Sequence, residues 1–352
     1  MRDLYARPVL EIGGERYSWG DVVVLALMTR RWLPLEREIR EGLACLAHAE
    51  ATGLVEPETV IETLAANFRY ERDLITADEA ERWLADRDLT VDQWMEWVRR
   101  EGLRQEWFAD LERLIQEYPV AQMAILDSAP LDLLCGRRGR QLAFDLARRL
   151  AAAALLAEQG ERFDADPPPD LAPRLLPRLP GIDPSRVLES LPRLAGLELA
   201  YARFRVTAAT PERIQRELDI GRLEWVRLDC RVIQFGSETL AREAELCVRE
   251  DGLGIDQVAR DAHALVDEMR FFLGELDPEL RPRLLASRPQ ELVGPVLFEG
   301  RHALFLVLDK LLPDESSPDL RREIERRALA RAETEQIERR VRWLEQWSVE
   351  SG

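Results

Sequence analysis

Between Ser18 and Tyr118 apolar residues recur every three or four positions, as in "IREGLACLAHAEATGL", "VIETLAANF" and "WMEWVRREGLRQEWFADLERLI". This is the period of a helix with one buried face, so the whole stretch is expected to be helical. Thr76 with Glu79 and Thr90 with Gln93 mark two starts. Each pair fits a capping box, in which the hydroxyl and the third-turn side chain satisfy free backbone N–H groups. Trp94, Trp97, Val98 and Glu101 trace one helical side, with Trp107 and Phe108 following. Core packing is the preferred reading of these rings, over a peptide-binding groove.

A second helical region opens at Ala129 and continues through "RQLAFDLARRLAAAALLAEQ", whose Ala/Leu density predicts a buried helix. The Arg-rich "CGRRGR" at 135–140 reads as a helix start or loop rather than an anion nest. Eight of the 20 prolines then fall between Pro167 and Pro192. Each removes a donor and restricts its predecessor, so 164–192 is expected to be a connector of polyproline character. After Thr210-Pro211, a helix start with proline in its first position, the period changes. "EWVRLDCRVIQF" at 224–235 predicts a strand, "SETLAREAELCVRE" a Ser-capped helix and "GIDQVARDAHALVDEM" a second helix that breaks down near its end. "MRFFLG" follows as a brief edge strand, "DPELRPRLLAS" as a helical turn or two, and "QELVGPVLFEGRHALFLVLDK" as two strands hinged at Gly300. One long charged helix is expected from Ser317 to Trp347. The pattern predicts an α+β, mostly helical fold divided as 1–125, 126–222, 223–312 and 313–352.

Charge narrows the partners. Sixty-six acidic against 49 basic residues give a net charge of −17, and no Lys/Arg block supplies an electrostatic footprint. Nucleic acid and anionic membrane are therefore unexpected as partners. The apolar run at 22–28 is too short to span a bilayer, and the N-terminus lacks a signal-peptide plan, so a cytoplasmic location is expected. Cys45, Cys135, Cys230 and Cys247 have spacings that suit neither zinc nor a disulfide framework. No P-loop, dinucleotide fingerprint, nucleophile elbow or His/Glu metal motif occurs, so no cofactor or metal is expected.

The succession of strand "RVIQF", helix "AREAE", helix "DQVARDA", then "FFLGELDPEL", "LLASRPQELVGPV" and "GRHALFLVLDK" resembles the parvulin-type (PpiC) peptidyl-prolyl isomerase domain, over about a third of the chain. The opening "VLEIGGERYSW" and the Thr-capped "TPERIQREL" resemble SurA/PrsA-like chaperones, with a terminal helix returning to the helical part. Joined to a cytoplasmic chain, the arrangement is most similar to PpiC-related proteins of ribosomal peptide maturation systems.

The resemblance implies an apolar proline slot, a histidine pair on adjacent strands and a nearby Cys, Asp or Ser. His302 stands at the final-strand histidine position. The first-strand position falls on Arg231, with Cys230 beside it and the register open by one residue. Leu276 and Leu285 stand where Met and Phe line the slot. Phe272, Phe298 and His263 complete the expected peptide-binding set. A guanidinium cannot exchange tautomers with an imidazole, so Arg231 in place of histidine implies an eroded catalyst that still binds peptide. The expected function is a peptide-binding accessory or chaperone for a precursor or unfolded peptide, alongside peptide-modifying enzymes. The alternatives are an active prolyl isomerase with general chaperone activity, and a scaffold for modifying enzymes.

Overall fold

The computed structural model describes residues 4–54, 58–179, 181–262, 264–313 and 317–345. The fold is α+β and mostly helical, with one three-stranded and one four-stranded antiparallel sheet. The chain forms two compact units, residues 207–331 and the remainder on either side of them.

The first unit begins with a hairpin, β1 (Pro8–Ile12) and β2 (Glu15–Ser18). Its turn is Gly13-Gly14, with φ of +60° and +85°. A two-residue hairpin loop needs positive φ at both central positions, which glycine adopts without steric cost. The Ser18 hydroxyl and Asp21 then form a capping box on α1 (Trp19–Met28), and α2 (Leu33–Thr52) ends on Gly53 in the left-handed conformation. α3 (Glu58–Tyr70), α4 (Ala77–Asp86), α5 (Val91–Glu106) and α6 (Leu111–Glu117) follow, and both expected Thr capping boxes open α4 and α5.

α7 (Gln122–Cys135) starts seven residues before the expected Ala129 and carries Pro130 inside it. A mid-helix proline costs about 3 kcal/mol. Burial of Ile125, Leu126, Ala129, Leu131, Leu133 and Leu134 on the same helix offsets it. α8 (Arg137–Glu158) begins at once beyond Gly136. The chain can turn so sharply because Gly139 lacks a Cβ, which would lie 1.8 Å from the Leu133 carbonyl oxygen. The expected connector is shorter than 164–192. It holds the single-turn α9 (Leu171–Leu175), and α10 (Pro184–Ala208) starts on Pro184 and runs through Pro192. These helices share one core, including Trp19, Val22, Ile39, Trp83, Trp94, Val98, Leu146 and Leu194, so residues 126–206 pack into the same body as the N-terminal helices. Trp94 is core as expected, whereas Phe108 is exposed.

The second unit opens with α11 (Pro211–Ile220), capped by Thr210. Next come β3 (Arg227–Phe235), α12 (Glu238–Arg249) capped by Ser237, and α13 (Ile255–Asp261). The helix expected across 254–269 stops at Asp261, and β4 (Val266–Phe272) has already begun. Packing decides this: β4 pairs with β3 without a bulge, from Val266 against Ile233 to Phe272 against Arg227. α14 (Leu280–Ala286), β5 (Leu292–Phe298) and β6 (Arg301–Leu311) complete the unit, with the sheet ordered β4-β3-β6-β5.

One face of this sheet packs Leu228, Cys230, Val232, Phe305 and Val307 under Leu276, Leu280 and Leu284. The other packs Ile233, Phe235 and Leu304 under Ala241, Ala244, Ile255 and Val258 of α12 and α13.

α15 (Pro318–Arg340) is the expected long helix, cut short. It stops at Arg340, and β7 (Arg342–Trp343) pairs with β1, Leu10 facing Trp343. That pairing satisfies the outer edge of β1, which a continued helix would leave bare.

Candidate functional site

The two-faced sheet of the second unit separates the residues that the sequence groups together. In β3, alternate side chains point to opposite faces. Cys230 goes to the α14 side, against Met269 on β4 and Val307 on β6. It is 1% exposed, and burial pushes its thiol up to about 11. Arg231 goes to the α13 side. Its Nη1 donates to Asp256 Oδ2 at 3.0 Å and its Nη2 donates to Oδ1, a two-pronged ion pair with the first turn of α13. The Arg231 guanidinium holds the Asp256 carboxyl below the usual carboxylate range.

His302 is half-buried at the start of β6, opposite Phe235 on β3 and Leu297 on β5. It shares the α12/α13 side of the sheet with Phe235, the reverse of the side that holds Cys230. Arg231 faces Leu306 instead, four positions along β6, or about 13 Å at 3.3 Å per residue. The expected His302–Arg231 juxtaposition does not form, and among the described residues no imidazole faces the thiol.

The apolar set is partly assembled. Leu276, 4% exposed, and half-buried Phe298 belong to the α14-side core. Phe298 packs edge-on against Phe305 at 5.2 Å and Phe271 at 5.8 Å between ring centroids. Leu285 is 38% exposed at the end of α14 and forms an accessible rim. Phe272 points the other way and lies 6.0 Å from Trp225, in a cluster with Leu320 and Ile324. His263 lies outside the described residues.

The sequence did not single out Met269, Phe271 or Phe305, although "EMRFF" alternates as a strand would. It also passed over Lys310, the only lysine in the chain. Lys310 Nζ donates to the Leu285 carbonyl at 2.7 Å and to that of Ser287, so β6 cross-links the carbonyl end of α14.

A comparison with protein-family models finds no match, and neither does a search of curated proteins. The chemistry of the site therefore rests on its own geometry. A buried thiol, a guanidinium committed to Asp256 and an imidazole on the opposite face from the thiol cannot act together on one peptide bond.

What the unit does offer is an edge. Among the described residues no strand pairs with the outer side of β4. Leu273 N–H donates to the Val226 carbonyl, which fixes the alternation along β4. The N–H groups of Phe271, Met269 and Asp267 turn inward, and those of Phe272, Arg270 and Glu268 turn outward. The opposite edge, β5, is blunted by Pro295 and by a register shift between Val293 and Val296.

The Trp-bearing helices of the first unit line a cavity of about 480 Å³ with Phe68, Arg72, Trp97, Arg104, Asp132 and Arg138. Its charges are already engaged. Arg104 pairs with Glu101, Arg138 pairs with Glu38, and Arg72 lies 3.7 Å over the Phe68 ring while donating to the Cys135 carbonyl. The buried Asp132 carboxylate meets Arg100 at 2.9 Å. Among the described residues no helix is long and apolar enough to cross a membrane, and no group of three or more His, Cys, Asp or Glu could hold a metal ion.

Proposed function

We propose that this chain is a peptide-binding accessory protein acting in the cytoplasm on a ribosomally made precursor, with peptide-modifying enzymes as its working partners. Its second unit takes an extended peptide as an added strand on β4 and leaves proline isomerisation uncatalysed. The observation that carries this reading is the open seven-residue edge of β4, on the sheet face that holds the half-buried Met269 and Phe298. Strand addition draws affinity from main-chain hydrogen bonds and specificity from alternate side chains. On β4 these would be the apolar Met269 and Phe271 on one side, and Glu268 with Arg270 on the other.

Further support comes from element order. The second unit runs strand, helix, helix, strand, short helix, strand, strand, which is the succession on which the parvulin resemblance rests. The separation of His302, Arg231 and Cys230 favours binding over catalysis. Uncatalysed exchange takes tens to hundreds of seconds, so a protease-coupled assay would register even feeble acceleration.

The test combines that assay with fluorescence anisotropy on labelled extended peptides bearing several different residues before proline. We expect binding without acceleration, and Leu285→Arg, which sets a charge at the apolar rim, should abolish binding in a folded protein. Unchanged affinity in that variant would remove the site from α14 and β4 and turn attention to the Trp-bearing cavity. Strong isomerase activity that disappears in His302→Ala would overturn the reading.

A further inference from the structure

The solvent side of α10 is apolar where a surface helix is ordinarily polar. Leu188, Pro192, Ala195, Leu199, Ala202 and Val206 follow one another at spacings of four, three, four, three and four. Leu188 and Leu199 are each 49% exposed and Val206 is 77% exposed; Pro192 and Ala202 are exposed, and Ala195 is half-buried. The opposite side of the helix, with Val187, Leu191, Leu194, Leu197 and Phe204, faces the core. The helix thus carries two apolar faces, and among the described residues its own unit covers one. A strict 3.5-residue repeat over three heptads is what a helix needs to pack against another helix along a seam.

We propose that this seam is occupied by α10 of a second copy of the chain, running antiparallel about a twofold axis level with Leu197. In that register Leu188 meets Val206 of the second copy, Pro192 meets Ala202 and Ala195 meets Leu199, so every layer of the seam is filled by apolar partners. An isologous contact requires such self-complementarity. On one flank the charges are complementary. Glu189 and Arg203 follow Leu188 and Ala202 on the same flank and are both exposed. The antiparallel register sets Glu189 near Arg203 of the second copy, twice over, and Arg203 keeps Glu161 of its own chain as a second carboxylate. The seam is about 27 Å long at 1.5 Å per residue and about one helix wide. That is below the roughly 800 Å² per partner of standard interfaces, so the dimer is expected to be reversible, with a micromolar dissociation constant.

Sedimentation velocity on the full chain across micromolar concentrations tests this. A concentration-dependent monomer–dimer equilibrium is expected. Leu199→Glu, which buries a carboxylate in a central layer, should weaken it at least about tenfold. Because Leu199 is exposed within its own chain, circular dichroism should be unchanged. Glu189→Arg and Arg203→Glu should each weaken the dimer by roughly three- to tenfold, and the double reversal should restore it. A monomer at every concentration, a dimer indifferent to Leu199→Glu, or a double reversal that recovers nothing would each overturn the proposal.

Discussion

Burial raises the thiols of Cys45 and Cys230 to about 11 and that of Cys135 to about 12. A thiol must ionise to attack, so these three should be inert at neutral pH in the folded chain. Cys247, on the flank of α12, is half-buried. Titration with a thiol reagent should therefore find one reactive cysteine in the native protein and four in denaturant; rapid labelling of Cys230 in the folded state would contradict the site geometry. Arg231→His offers a second check at this scale. It places an imidazole opposite Leu306 and Glu268, not His302. We expect no gain in isomerase rate, only loss of the ion pair to Asp256, and a clear rate increase would mean that the two strands can slip. The sequence could name His302, Arg231 and Cys230 as candidates, because residue types and order are written in it. It could not assign them to faces, because a shift of one position in register exchanges the two sides of a strand.

Elements were legible where a local signal marks them. Thr76, Thr90, Thr210 and Ser237 each accept a hydrogen bond from a first-turn backbone N–H, as their positions before apolar-periodic runs predict. Elements decided by long-range packing were not. Residues 262–269 can be read as the tail of α13, but β4 gains a full ladder on β3 that no local window reveals. Helices through Pro130 and Pro192 were hidden for the same reason, since the burial that offsets each proline arises only when the helix packs against other elements. The β4 edge carries its own prediction. The Arg270 N–H points away from β3, so Arg270→Pro removes an outward donor without breaking the ladder. Peptide affinity should fall about tenfold or more while the thermal transition of the second unit hardly moves; undiminished affinity would show that the peptide does not add as a strand.

Across the whole molecule, the two-part division was only partly visible in the sequence. The change of period after Thr210 marks the start of the second unit, but nothing local shows that 342–343 returns to pair with 10–11. That return is anchored by Glu345, whose carboxylate is 1% exposed and lies 3.0 Å from Arg87 Nη2 and 2.7 Å from Arg7 Nε. Arg87 is itself buried, with its guanidinium 4.1 Å over the Trp83 ring. Glu345→Ala deprives a buried cation of its carboxylate, a change that typically costs about 3–5 kcal/mol. Denaturant unfolding followed by tryptophan fluorescence reports mainly on the first unit, because Trp225 is the only tryptophan within 207–331. A loss under about 1 kcal/mol would show that the pair contributes no more than a surface salt bridge.

The β1–β7 pairing also sets a timetable for the newborn chain. Every segment of the second unit lies between 207 and 331, so that unit needs nothing from the chain beyond residue 331. The first unit must wait for residues 342–345, more than 300 codons after β1 has left the ribosome. At roughly 5–20 residues per second the delay lasts on the order of tens of seconds. Throughout it the outer edge of β1 stays unpaired and Arg87 lacks its carboxylate, so the larger unit is the last to mature and the one most dependent on protection during translation.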